Sequence, residues 1–189
     1  MLERMAEASP GLMARVAGVF YLFNFMTGAF AAFAGRRDGA LGDVANLLAT
    51  AFYIVVTVLF YSLYKPVDKK LSLIAALFSL AGCTLGVLRI FHLAPVPINP
   101  LVCFGFYCLL IGYITFRSTF LPRVLGLLMA LGGLGWLTFL IPSLARSLSP
   151  YNLAPGMLGE GLLTLWLLAK GVNVERWRAQ ARAEVSRQS

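Results

Sequence analysis

Six apolar segments, over residues 13–34, 43–64, 71–93, 99–117, 122–141 and 153–171, fill most of a 189-residue chain. Each comes close to the ~20 apolar residues a helix needs to cross a hydrocarbon core of ~30 Å. In that solvent every backbone N–H and C=O must be bonded within the protein, and a helix does this with its own groups. The expected fold is an all-α membrane protein, a six-transmembrane-helix bundle whose short loops make successive helices antiparallel neighbours. Charged residues make up only 13% of the chain, against about a quarter in soluble domains. The expected organisation is one transmembrane domain over residues 1–172 and a basic tail over 173–189, with no stretch left to bury a separate soluble core. Ala32-Phe33-Ala34 has the small-residue form of a signal-peptidase site. The apolar run before it exceeds the roughly 7–15 residues of a signal peptide, so it reads as a resident helix.

The net charge of +8 belongs to the span ends. With six spans, one side of the membrane holds Arg4, Arg15, Lys65, Lys69, Lys70, Arg117, Arg123, Lys170, Arg176, Arg178, Arg182 and Arg187. The other side holds Arg36, Arg37, Arg89 and Arg146. By the positive-inside rule both termini are cytoplasmic, and the expected location is the inner (cytoplasmic) membrane. No folded basic platform remains for nucleic acid. The cationic partners are membrane lipids with anionic headgroups, at about 1 kcal/mol for each Lys or Arg at the surface. The tail is expected to continue span six as a helix at the cytoplasmic surface, with Trp177 at the interface. Cys83, Cys103 and Cys108 all lie in apolar runs and read as small hydrophobes. With one His and no paired cysteines, neither a metal site nor a cofactor is expected.

Polar side chains within the spans carry the functional argument. In span three, Ser79, Gly82, Gly86 and Arg89 recur at three, four and three residues, so they share one helix face, and His92 extends it. Gly82 and Gly86 form a small-xxx-small pair that admits a neighbouring helix. Span six contributes Glu160. An isolated mid-span charge costs about 2.5–3.5 kcal/mol on insertion scales, so Arg89 and Glu160 are expected to pair. Span two shows Asn46, Thr50, Tyr53 and Thr57 on one face, and span one shows Tyr21, Asn24 and Gly28. Span five carries Gly126, Ala130 and Gly133, a stripe for helix packing.

The leading expectation is a cavity facing the outer leaflet that binds, and in its extended form translocates, a small amphipathic or lipid-like molecule. Its candidate ligand-binding residues are Arg89, Glu160, His92, Asn46, Tyr53, Asn24 and Thr50. Two other readings stay open. In one, the Arg89–Glu160 pair only clamps helices in a structural or partner-binding protein. In the other, Glu160 and His92 perform acid–base chemistry in an intramembrane enzyme, although no nucleophile motif supports it. A homo-oligomer also stays open, since Gly82 and Gly86 can pack helices within or between chains.

Gly112-Tyr113, Arg117-Ser118, Phe120-Leu121-Pro122-Arg123-Val124-Leu125-Gly126, Glu160, Leu165-Trp166-Leu167-Leu168 and Lys170-Gly171-Val172 together resemble a bacterial six-helix membrane family catalogued as domain of unknown function 4386. Ala17-Gly18-Val19-Phe20-Tyr21-Leu22 is similar to that family's first helix. The resemblance implies the fold and the membrane location and leaves the activity open. Pro122 is expected to open helix five, where its missing N–H is harmless.

Overall fold

A computed structural model describes residues 9–93 and 98–188. Arg4, counted above toward the charge bias, and residues 94–97 of the third loop lie outside the described residues. The long helices are α1 (Pro10–Ala34), α2 (Gly39–Tyr64), α3 (Lys69–Ile90), α4 (Pro100–Arg117) and α5 (Arg123–Leu137), the last continued by a 3-10 turn at Thr138–Leu140. A short α6 (Pro142–Leu148) and a 3-10 turn at Tyr151–Leu153 precede α7 (Ala154–Ala169), and α8 (Val174–Gln188) follows.

Five of these helices, α1 to α4 and α5 with its 3-10 extension, are long and apolar enough to cross a membrane. The sixth expected span is the 16-residue α7, about 24 Å at ~1.5 Å per residue. Large apolar side chains such as Phe23, Met26, Leu77, Leu127, Leu131 and Leu165 are exposed. Such a belt suits lipid and not water, so the chain is a multi-pass membrane protein.

Local chemistry fixes the helix starts. The Asp38 side chain accepts from the N–H groups of Ala40 and Leu41, Asp68 accepts from Leu71, and Asn99 from Leu101. Pro122 stands directly before α5. The helices form a closed ring in which each of α1 to α4 packs on the next, α5 packs on α7, and α7 returns to α1. Small residues permit the tight seams. A Cβ on Gly126 would lie 2.6 Å from the Gly112 carbonyl oxygen, and one on Gly133 would lie 2.7 Å from that of Gly105. The stripe expected to pack span five therefore packs α5 against α4. At the ring's closure, a Cβ on Gly18 would meet the backbone N of Leu168 at 3.1 Å.

Two expectations need correction. Gly82 faces the Phe104 ring, not a neighbouring backbone, and Gly86 faces open space. The tail does not continue the sixth span. Gly171, with φ 66°, breaks the helix in a conformation that suits glycine. The separate α8 then folds back on the bundle. Trp177 Nε1 donates to the Leu63 carbonyl at 2.8 Å, and the Gln180 side-chain oxygen accepts from Thr119 N–H at 3.1 Å.

Candidate functional site

Glu160 lies six residues into α7, about 9 Å along its axis, where its helix turns inward on the closed ring. It is 6% exposed, and neutral donors from four other helices surround it. Trp136 Nε1 of α5 donates to Oε1 at 2.7 Å, and the Cys108 thiol of α4 approaches the same oxygen at 3.6 Å. Oε2 accepts a short bond from the Tyr21 hydroxyl of α1 and a longer one, 3.4 Å, from Tyr53 of α2. Each oxygen thus has one strong and one weak donor. A carboxylate presents only acceptors when ionised, and this donor set is its complement.

Glycine makes room for the indole. A Cβ on Gly156, one turn before Glu160, would overlap the Trp136 ring. Only glycine there lets the ring come this close to α7 and bring its N–H to Oε1. Below Glu160 the interior is packed with buried Phe60, Leu63, Tyr64, Ile111, Leu163 and Leu167. Thr57 and Ser79 bond across α2 and α3 at 2.6 Å, and Tyr64 and Thr115 bond across α2 and α4 at 2.7 Å. Tyr107 is 1% exposed, and its ring lies 5.9 Å from that of Tyr53. Its hydroxyl has no hydrogen-bond partner among the described residues.

Above Glu160 the ring opens into a cavity of about 630 Å³, within the range usual for small organic ligands. Asn24 and Gly28 of α1, Asn46, Thr50 and Tyr53 of α2, and Trp136 and Glu160 supply most of its polar and small surface. Phe25, Leu101, Phe104, Leu153 and Met157 supply much of the apolar wall. A smaller groove of about 220 Å³ runs between α2 and α3 past Ile54, Leu80 and Thr84. The two spaces share Thr50 and Cys83. Ile54 and Leu80 are exposed, so the groove faces the lipid side of the bundle.

Five of the seven expected site residues, Glu160, Tyr53, Asn46, Asn24 and Thr50, therefore line one cavity. Arg89 and His92 do not. Arg89 occupies the last turn of α3, is exposed, and has no ion-pair partner among the described residues. The expected Arg89–Glu160 pair is not formed. The reason is the end of α3 at Ile90, which leaves the guanidinium where the helix dipole and solvent or headgroups stabilise it without burial. His92 explains that end. Its φ is 56°, its N–H bonds to the Arg89 carbonyl at 3.1 Å, and Leu93 N–H reaches back to the Leu88 carbonyl at 2.8 Å. This pair of bonds is a Schellman stop, so His92 terminates the helix and stays exposed, far from the role of a buried base.

Sequence reasoning missed Trp136 and Cys108 as partners of Glu160. Trp136 left a readable signal, because a tryptophan N–H within a span seeks an acceptor, and the spans hold only one Glu. Cys108 left none, since a thiol packs as readily as a methyl group.

The segment 98–171, which carries Phe104, Cys108, Trp136 and Glu160, matches a family model described as Domain of unknown function (DUF4386). The chain is also 29% identical over 127 residues to an uncharacterized protein of Archaeoglobus fulgidus, an alignment covering 62% of this chain and 76% of that protein. No solved structure matches. The similarities agree with the resemblance read from the sequence, and neither relative brings an activity with it.

Proposed function

We propose that this protein binds a small amphipathic or lipid-like molecule in the cavity above Glu160. The observation that carries the reading is a buried carboxylate at the floor of an open space with an apolar wall, which shares Thr50 and Cys83 with a groove toward lipid. The polar end of the molecule meets Glu160, Tyr53, Trp136 and the amides of Asn24 and Asn46. Its apolar body lies along Phe25, Phe104 and Met157. Arg89 and His92 drop out of the binding set. In the same reading α7 completes six spans and the distribution of Lys and Arg puts both termini in the cytoplasm. The cavity then faces the outer leaflet of the cytoplasmic membrane. Translocation requires more, because the packed floor of Tyr21, Tyr53 and Phe60 has to part.

Gly28 provides the test. A Cβ there would meet nothing within 4 Å, so Gly28→Leu fills the cavity without disturbing the helix seams. Native mass spectrometry of gently purified protein, followed by extraction, should find a defined molecule at near-stoichiometric occupancy that the variant loses. Heterogeneous phospholipid, identical in both proteins, sinks the proposal.

A second reading has its own support in the completeness of Glu160's donor set. Four helices are tied to a fifth through one carboxylate, which is a structural hub whether or not anything binds above it. Under that reading Gly28→Leu has no phenotype, whereas Glu160→Ala unfolds the bundle.

A further inference from the structure

The charge of the bound molecule can be inferred from what surrounds Glu160, and this step rests on the cavity reading above. Its protein partners are two phenols, an indole and a thiol. They satisfy hydrogen bonds but carry no positive charge. Among the described residues no Lys, Arg or His lines the cavity, and Glu160 is the only acidic one. A carboxylate within a bilayer-spanning bundle is strongly favoured by a countercharge at close range, and none of the described residues there supplies one. An anionic head in this cavity would face repulsion with nothing to offset it.

The walls fit the opposite sign. Phe25, Tyr53, Phe104 and Trp136 all line the cavity. Tyr53 and Phe104 meet edge to face, with centroids 4.8 Å apart and planes at 68°, so the two rings make adjoining walls of a corner. Aromatic faces attract cations, and most strongly where water is excluded. The remaining polar groups, the side-chain carbonyls of Asn24 and Asn46 and the hydroxyl of Thr50, can accept from an N–H. The volume of about 630 Å³ is far too large for a bare metal ion and suits an organic cation with an apolar body.

We propose that the molecule held here is a lipophilic amine or quaternary ammonium. Its charged nitrogen sits against Glu160 between Tyr53, Phe104 and Trp136, and its apolar part extends toward Met157 and the groove past Ile54 and Leu80.

The test compares octyltrimethylammonium, its uncharged tert-butyl analogue and octyl sulfate. Each is titrated into the full-length protein in a neutral maltoside detergent and read as a saturable rise in melting temperature. The ammonium compound should bind roughly tenfold or more tightly than the uncharged analogue, and octyl sulfate should show no saturable effect. Gly28→Leu should abolish the shift, and Glu160→Gln should remove the preference for the cation. Equal binding of the ammonium and uncharged compounds overturns the inference while leaving the cavity reading intact. No saturable binding of any of the three overturns both. A cation preference that survives in folded Glu160→Gln overturns the role given to the carboxylate. If Glu160→Gln does not fold, the head-group comparison on the unaltered protein still decides the sign of the charge.

Discussion

Replacing Trp136 by phenylalanine removes the strongest neutral N–H donor to Glu160 while keeping an aromatic ring against Gly156. Its bond to Oε1 is 2.7 Å, and among the described residues the only other donor to that oxygen is the Cys108 thiol at 3.6 Å. Hydrogen bonds to charged groups are worth about 1.5–3 kcal/mol in soluble proteins. Interhelical bonds in membrane proteins average about 0.6 and reach about 1.7 kcal/mol, because the unfolded chain in the membrane also finds partners. With no alternative strong donor on Oε1, the Trp136 bond belongs near the top of the membrane range, at about 1–1.7 kcal/mol. Tyr53 shares Oε2 with the shorter Tyr21 bond and stands at 3.4 Å, so its share should fall below about 0.5 kcal/mol. A double-mutant cycle isolates each pair. Trp136→Phe and Tyr53→Phe are each combined with Glu160→Gln, and reversible unfolding in mixed micelles is followed by far-ultraviolet circular dichroism. A coupling for Trp136 no larger than that for Tyr53 would refute the assignment of strong and weak donors.

Other outcomes follow from the packing. Gly126→Val should lower stability by more than about 2 kcal/mol, because the atom its Cβ meets at 2.6 Å is backbone and cannot move aside; gel filtration in detergent will show loss of the folded monodisperse species. Gly86→Ala should be neutral or stabilise by up to about 1 kcal/mol, since no described atom lies within 4 Å, and the thermal unfolding midpoint in detergent distinguishes the two. Arg89→Ala should change stability by less than about 0.5 kcal/mol; a loss of several times that in thermal unfolding would mean the guanidinium has a buried partner after all. Trp177→Ala should release α8 by removing a half-buried ring and its bond to Leu63, at about 2 kcal/mol, seen as faster amide hydrogen exchange over residues 174–188 with the bundle unchanged.

The grouping of the site was partly readable in the chain. Asn46, Thr50 and Tyr53 fall on one face by spacing alone, as do Asn24 and Gly28, and those faces do meet at the cavity. The face of α3 was read equally well as far as Ser79 and Gly82, both buried. It failed one turn later, because periodicity assigns a direction around the axis without saying where the helix stops. The stop depends on His92 adopting a left-handed backbone, which histidine reaches more readily than most residues but which no spacing rule announces.

What the sequence alone determined is the solvent and the partition. Apolar run length set where helices lie to within a few residues, and the rarity of mid-span charge singled out Glu160 as a residue needing partners. Which partners it found was decided only in the tertiary structure. A charge needing stabilisation can be satisfied by an opposite charge or by several neutral donors, and spacing along one helix is blind to that choice. It was made by the closure of the ring at Gly18, by the seams at Gly112 and Gly126, and by the space at Gly156 that admits the Trp136 indole. These contacts join residues far apart in the chain, so they exist only once the helices have packed.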